Sequence, residues 1–250
     1  MNEEKITFKN SKGKDLIGVL HIPDKKTESI VILSHGFCST KDRERFIYVA
    51  NAYSKKGISV LRFDFGGCGE SYDTEITIEN QIDDLRSAIS YVKFREYKII
   101  GLQGESLGGL VSVLAYSPDV KALVLWAPVT QSKDKLKEIL EQEKLSGEEL
   151  EEKGYITKTK HGRNYKIPKQ YFEERLAVNQ KEMLSKIKSP TLIMHGDADE
   201  SVPLESSKEA IQYLPKGSKL KIIKNGNHTL DNKIEEVASL SVNWMKKYLK

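Results

Sequence analysis

Two scarcities in the sequence exclude whole classes of protein. Cysteine is scarce: Cys38 and Cys68 are the only two, which is too few for a disulfide framework and fits free thiols in a reducing compartment. Long apolar runs are absent, and none approaches the ~20 residues that a membrane-spanning helix needs. Residues 1–15 are polar and lack the apolar stretch of a signal peptide. We therefore expect a cytoplasmic protein with no membrane partner.

The sequence also lacks any concentration of charge. Its 40 basic and 36 acidic residues are interspersed and give a formal net charge of +4. Nucleic-acid binding needs Lys and Arg clustered on one face, and no such cluster is visible, so no nucleic-acid partner is expected. The histidines and carboxylates show no metal-ligand spacing, and the glycines at 66–69 lack the G-x-G-x-x-G spacing of a dinucleotide loop. We predict neither a metal nor another cofactor.

The apolar residues form an alternating pattern of strands and helices. Short β-branched runs, such as residues 29–33, 98–103 and 191–194, are separated by longer stretches with helical spacing, such as 76–94. Alternation of this kind predicts an α/β fold with a mostly parallel, doubly wound sheet covered on both faces. An early hairpin, turned by residues 10–13, would add an antiparallel edge.

Residues 129–186 break this pattern. They are rich in Lys and Glu and contain no buried-strand signal. The spacing predicts a short helix ended by Gly147, then a small hairpin around residues 161–164, then a helix with Pro168 in its first turn. We interpret this stretch as a small inserted cap, here called the cap segment. The core would then consist of residues 1–128 and 187–250.

The strongest functional signal is the sequence Gly104-Glu-Ser-Leu-Gly108. The pattern G-x-S-x-G is weak evidence alone, but here it follows a predicted strand and opens a predicted helix. A serine on such a turn needs a strained backbone, and the glycines on either side leave room for the turn to close. The helix N-terminus also favours negative charge developing near Ser106. Ser106 is therefore the predicted nucleophile.

A serine nucleophile needs a base and an acid. Among the five histidines, His228 lies in a loop after the last predicted strand, at the edge of the sheet where Ser106 is expected. His195 ends a strand and fits a structural role better. The acid is expected between serine and histidine along the chain, where Asp197 and Asp199 both follow a strand. We assign Asp199 as the acid that orients His228, and Asp197 as a turn residue.

The oxyanion of a tetrahedral intermediate needs two hydrogen-bond donors. One would be the backbone N–H of Leu107, the residue after the nucleophile. The other would come from the loop after the strand at 29–33, where Gly36 lets the backbone approach and Phe37 presents its N–H.

Five motifs together resemble the α/β-hydrolase superfamily of serine hydrolases, in that superfamily's order. They are the His35-Gly36 loop, Arg62–Ser71, the turn at Ser106, His195-Gly-x-x-Asp199-x-x-Val-Pro203 and Gly226-Asn-His228. The chain is most similar to small carboxylesterases, including the feruloyl/cinnamoyl esterase type with a compact inserted cap. It departs from many relatives at Gly66-Gly67-Cys68, where they have Arg-Gly-His, and at Glu105, where they have His. The resemblance implies that Asp64 is structural.

These features predict a serine carboxylic-ester hydrolase that acts through an acyl-enzyme on a small-molecule ester with a small to medium acyl group or an aromatic acid. A peptidase, amidase or thioesterase with the same triad is the main alternative, and a non-catalytic binding protein is a third. Cap aromatics are candidates for lining the substrate pocket, or simply pack the cap onto the core: Tyr155, Tyr165, Tyr171 and Phe172. The oligomeric state stays open, with a homodimer as one option.

Overall fold

A computed structural model describes residues 2–133 and 135–250, and its strands form one large sheet and one hairpin. In chain order, the strands among the described residues are β1 (Asn2–Lys9), β2 (Asp15–Ile22), β3 (Ser29–Ser34), β4 (Ser59–Phe63), β5 (Ile99–Glu105), β6 (Val120–Trp126), β7 (Tyr155–Lys160), β8 (Arg163–Pro168), β9 (Thr191–Gly196) and β10 (Lys219–Ile223). The large sheet has the order β1-β2-β4-β3-β5-β6-β9-β10. Pairing from β4 to β10 is parallel, whereas β2 is antiparallel to both β1 and β4. The predicted α/β class with a mostly parallel sheet and an antiparallel leading hairpin is confirmed.

Helices cover both faces of this sheet. Those of the described residues are α1 (Glu44–Ser54), α2 (Ile78–Phe94), α3 (Leu107–Leu114), α4 (Leu136–Glu143), α5 (Glu148–Lys153), α6 (Lys169–Leu176), α7 (Gln180–Ser185), α8 (Leu204–Ala210) and α9 (Ile234–Tyr248). No helix in this part of the chain is both long enough and apolar enough to cross a membrane.

Strand β3 shows why the sheet is buried on both sides. Its side chains alternate between faces, as in any strand. Ile30 and Ile32 join the apolar layer that includes α2 and α3, while Val31 and Leu33 join the layer that includes α1 and α9. All four are at most 1% exposed, so the continuous apolar run in the sequence reflects burial on both faces.

The sheet determines where the candidate site lies. Strands β3, β5, β9 and β10 run parallel, so their carboxyl ends meet at one edge. Phe37, Ser106, Asp199 and His228 each follow one of these strands. Ligands of open α/β sheets bind at this edge.

The cap segment contains α4 to α7 and the hairpin β7–β8. The hairpin turns at His161 and Gly162, with φ values of 53° and 76°, as the sequence predicted. The prediction that Gly147 ends α4 is wrong. Lys144 takes the left-handed conformation at φ 55°, and Leu145 N–H donates to Leu140 O at 2.9 Å, which closes the helix three residues earlier. The division of the chain into core and cap at residues 129 and 186 stays a prediction.

Candidate active site

Ser106 lies on a strained turn between β5 and α3. Its φ and ψ are 54° and −119°, a region that residues other than glycine rarely occupy. The turn is held by the Ser106 N–H, which donates to Trp126 O at 2.8 Å, and by Ser106 O, which accepts from Val129 N at 3.2 Å. These two hydrogen bonds, to the end of β6 and to the residues that follow it, hold the Ser106 backbone in its strained conformation. The turn directs the Ser106 hydroxyl toward the edge of the sheet.

The glycines two residues before and after Ser106 are required by close packing. A Cβ atom at Gly104 would lie 2.3 Å from Gly108 O, and one at Gly108 would lie 2.2 Å from Ser34 O. Both distances are shorter than any real contact, and the obstructing atoms are backbone. The spacing in the sequence therefore predicts this tight turn for a steric reason.

The side chains of Ser106, His228 and Asp199 form a continuous hydrogen-bonded chain. The His228 Nε2 atom lies 3.0 Å from Ser106 Oγ, and its Nδ1 atom lies 2.8 Å from Asp199 Oδ2. The other oxygen, Asp199 Oδ1, accepts from the N–H groups of Ser201 and Val202 at 2.8 and 2.9 Å. These bonds fix the carboxylate, which in turn orients the imidazole.

A second histidine, which sequence reasoning assigned only a structural role, also contacts Asp199. His195 is fully buried, and its Nε2 atom lies 3.1 Å from Asp199 Oδ2. Burial alone would raise the pKa of Asp199, but the hydrogen bonds of His195 and His228 outweigh it and hold that pKa well below its usual range. Asp199 is therefore ionised and able to stabilise an imidazolium at position 228.

The two predicted oxyanion donors flank Ser106. Leu107 is the first residue of α3, whose first N–H groups have no partner within the helix. Phe37 lies across the site in the loop after β3, beside Gly36, where a Cβ atom would lie 3.3 Å from that of Ser106. In the described part of the chain, nothing accepts a hydrogen bond from either backbone N–H. Lys160 Nζ donates to Phe37 O at 2.9 Å and so holds this loop from the cap side.

A cavity of about 260 Å³ opens beside Ser106 and His228. Its wall combines the loop after β3, the end of α4 and strand β7. Sequence reasoning singled out Glu105 as a departure from relatives but missed the other charged members, which are Arg45, Glu143, Lys144, Lys158 and Lys160. Arg45 and Glu105 form a bidentate pair, with Arg45 Nη2 donating to Glu105 Oε1 at 2.6 Å and Nε donating to Oε2. The alternation of Lys158 and Lys160 in a predicted strand was the available signal for the two cap lysines.

Comparison with known proteins fits this geometry. The family model for serine aminopeptidase S33 matches residues 25–184, which is more than half of the chain. The chain belongs to the serine aminopeptidase S33 family. It is 27% identical to the uncharacterized 31.7 kDa protein in the traX-finO intergenic region of Escherichia coli, over 88% of this chain and 91% of that protein. It is 26% identical to the serine hydrolase BPHL of Mus musculus, over 71% and 65% of the two chains.

Solved structures show the same fold. Est1E from Butyrivibrio proteoclasticus, solved with ferulic acid bound, is 23% identical with a TM-score of 0.82, over 97% of this chain and 98% of that one. The esterase domain of a Rhodothermus marinus protein is 23% identical with a TM-score of 0.76, over the full length of both chains. The S33 family member described here is thus an α/β-hydrolase and a hydrolytic enzyme.

None of the four candidate aromatics of this S33 hydrolase is among the described residues that line the cavity. Tyr171 is fully buried and stacks on Phe37 with ring centroids 5.0 Å apart, and Phe172 packs edge-on against Tyr171 at 5.3 Å. Tyr165 is buried beside Arg163, and Tyr155 lies under the ammonium of Lys166 at 4.3 Å. Tyr171 thus packs against Phe37 in the loop after β3, and a role of these four side chains in substrate binding stays a prediction.

Asp64 and Cys38 take no part in the hydrogen bonds that join Ser106, His228 and Asp199. Asp64 is fully buried and accepts from the N–H groups of Lys41 and Glu70, at 2.7 and 3.0 Å, and from Lys41 Nζ at 2.9 Å. Its carboxylate lies near those of Asp42 and Glu70, but Lys41 Nζ bonds to all three and already supplies the cation that such a cluster needs. Burial raises the pKa of the Cys38 thiol to about 12, so this thiol stays protonated.

Proposed function

We propose that this S33 hydrolase is a carboxylic-ester hydrolase that works through an acyl-enzyme on Ser106. The observation that carries the proposal is the hydrogen-bonded chain from Asp199 through His228 to Ser106 Oγ, with distances of 2.8 and 3.0 Å. Such a chain lets His228 accept the serine proton while Asp199 stabilises the resulting imidazolium.

The chemistry follows from these positions. Ser106 Oγ attacks the acyl carbon, and its proton passes to His228 Nε2. The N–H groups of Phe37 and Leu107 stabilise the oxyanion, and loss of one such donor typically costs about 10²–10³-fold in kcat. As the bond to the alcohol oxygen breaks, His228 gives that oxygen the proton. A water molecule, deprotonated by His228, then attacks the acyl carbon and releases the acid and Ser106.

The cavity supports a small to medium acyl group or an aromatic acid as the substrate's acid part. At about 260 Å³ it lies just below the usual range for small-molecule sites, about 300–1,000 Å³. A long acyl chain would not fit without movement of the cap segment.

A peptidase acting on free amino termini is the second candidate, because the family is described as serine aminopeptidases. A substrate α-ammonium would have to enter a cavity lined by Lys144, Lys158 and Lys160. Repulsion between like charges disfavours this, and the charge of the cavity therefore favours esters over aminoacyl amides. A thioester differs little in shape or charge from an ester. The relative thiohydrolase aneE of Aspergillus aculeatus is 29% identical, over 52% of this chain and 44% of that protein.

The test combines labelling with turnover. A fluorophosphonate probe should label the wild-type protein at Ser106, and p-nitrophenyl butanoate should be hydrolysed. Ser106→Ala should abolish both, whereas Ser90→Ala, on the exposed side of α2, should change neither. Aminoacyl p-nitroanilides and an acyl thioester tested alongside will rank the three bond types. Undiminished hydrolysis in Ser106→Ala, or a folded wild-type protein that neither reacts with the probe nor cleaves any substrate, would refute the proposal.

A further inference from the structure

The cavity beside Ser106 carries more positive than negative charge. Four cations and two carboxylates line it: Arg45, Lys144, Lys158, Lys160, Glu105 and Glu143. Arg45 and Glu105 neutralise each other in their bidentate pair. Three lysines therefore face a single remaining carboxylate, that of Glu143.

Strand β7 positions two of these lysines on one face. Side chains two residues apart on a strand point the same way, so Lys158 and Lys160 both reach the cavity. Lys160 Nζ donates to Phe37 O at 2.9 Å, and Lys158 Nζ donates to Glu143 O and lies 5.1 Å from the centre of the Phe37 ring. Both ammonium groups are thus held by neutral carbonyls, and within residues 2–133 and 135–250 neither has a carboxylate in ion-pair contact.

Burial makes this excess of positive charge costly. It lowers the pKa of Lys160, the nearby charge of Lys158 acts in the same direction, and the carboxylates of Glu105 and Glu143 oppose this only in part. Arg175, on α6, adds a further positive charge close to Glu143. It is fully buried, it interacts electrostatically with Glu143 and Tyr171, and no acceptor in the described residues hydrogen-bonds to its guanidinium nitrogens. A buried cation whose charge is only partly balanced is unfavourable, so an arriving anion would be stabilised here.

We propose that the substrate of this enzyme carries an ionised carboxylate that lies against Lys158 and Lys160 while its ester carbonyl lies at Ser106. This inference rests on the proposed ester hydrolysis and names its substrate class. Lys160 contacts Phe37, whose own N–H is the proposed oxyanion donor, so the carboxylate would lie only a few bonds from the ester. It belongs either to the acid, as in a monoester of a short dicarboxylic acid, or to the alcohol.

Two pairs of matched substrates test the proposal. The first compares mono-p-nitrophenyl glutarate with neutral p-nitrophenyl pentanoate and places the charge on the acid. The second compares 4-carboxyphenyl butanoate with neutral 4-carbamoylphenyl butanoate and places it on the alcohol. We expect the charged member of one pair to have a kcat/KM at least about tenfold higher at low salt, and this ratio to fall as salt screens the attraction.

Three variants test which side chains determine the ratio of kcat/KM for the charged ester to kcat/KM for the neutral ester. Lys158→Met should lower the ratio severalfold, because it removes attraction, and Glu143→Gln should raise it, because it removes repulsion. The matched control is Lys166→Met. Lys166 lies on the same hairpin, pairs with Thr157 and so points to the opposite face, where it contacts Glu75 at 2.7 Å. Its replacement should leave the ratio unchanged. Each ratio is internal to one protein sample, so partial unfolding of a variant does not alter it.

The outcomes separate this inference from the proposed function. If neutral esters are hydrolysed and neither charged ester is preferred, the inference is overturned and ester hydrolysis stands. An unchanged preference in both Lys158→Met and Glu143→Gln also overturns it. If no ester is hydrolysed and the probe does not react, the proposed function fails and this inference fails with it.

Discussion

The ion pair beside the nucleophile gives a prediction whose size can be worked out from the structure. Glu105, directly before Ser106, is only 4% exposed in its side chain, and its partner Arg45 is 12% exposed. Replacing Glu105 with Gln keeps the shape of the side chain but removes its charge. The guanidinium of Arg45 would then be left largely buried, with only the weaker electrostatic attraction of Asp231.

The loss of unfolding free energy expected for Glu105→Gln depends on the attraction between the two charges and on how far water hydrates Arg45 once its partner is gone. Two unit charges about 4 Å apart attract by about 4 kcal/mol at an effective dielectric constant of about 20. Part of this loss is offset, because Arg45 keeps some contact with water and Gln still accepts a hydrogen bond. Removing one partner of a buried pair generally costs about 3–5 kcal/mol, and we expect about 3 kcal/mol here. For a domain of this size that corresponds to a fall in Tm of about 6–12 °C.

Urea unfolding at pH 7, followed by circular dichroism, measures this change. The control is Asp119→Asn, which breaks the pair between Lys93 and Asp119, whose side chains are 50% and 52% exposed. That exposed pair should contribute less than about 1 kcal/mol. If Glu105→Gln costs no more than the control, then solvent screens the pair beside Ser106 and the loss of stability worked out above is wrong.

Further predictions concern the acid, a thiol and the turn at the nucleophile. Asp199→Asn should lower kcat by about 10³–10⁴-fold with little change in KM, because the imidazole loses its orienting acceptor; a loss below tenfold would contradict its role. Because hydrogen bonds outweigh burial and lower the pKa of Asp199 on folding, its stabilisation is complete above its unfolded pKa of about 3.9 and is lost as the pH falls further. The difference in unfolding free energy between wild type and Asp199→Asn should therefore shrink between about pH 5 and pH 2, and a difference that grows there would refute the direction of the shift. Since burial raises the pKa of Cys38 to about 12, iodoacetamide at pH 8 should alkylate it at least about tenfold more slowly in folded than in unfolded protein, as measured by peptide mass spectrometry. Gly108→Ala places a Cβ atom 2.2 Å from Ser34 O and should cost about 1–3 kcal/mol of stability together with most of the activity; a stable, fully active variant would show that the turn has room.

The sheet and the positions of the candidate triad could be predicted because short-range rules determine both. Buried parallel strands have continuous apolar runs, and Ser106 and Asp199 each follow such a strand, whereas His228 follows the largely exposed edge strand β10. Parallel strands end at the same edge, so residues far apart along the chain are brought together by topology alone. The distances between them depend on loop conformations, which these rules do not determine.

The charged wall of the cavity could not be predicted in the same way. Arg45 meets Glu105 across 60 residues, and Lys160 meets Phe37 across 123. Both contacts are made by long, flexible side chains on elements whose packing angles no local pattern determines. The same reason explains the error at Gly147. Lys144 adopts a conformation that favours glycine because Leu145, which packs against the core, closes the helix there.

One local signal in the cap segment did point to function. Lys158 and Lys160 alternate in β7, so their like charges must share one face of a two-stranded hairpin, which is unfavourable unless something compensates. Lys166, on the opposite face, forms an ion pair with Glu75, whereas Lys158 and Lys160 have no carboxylate of the described residues within ion-pair distance and share the weaker attraction of Glu143. Natural sequences mostly violate local rules where function requires it. The only partly compensated face of β7 therefore supports the proposal of a substrate that supplies the missing charge, and the alternating lysines are the part of the sequence that predicts it.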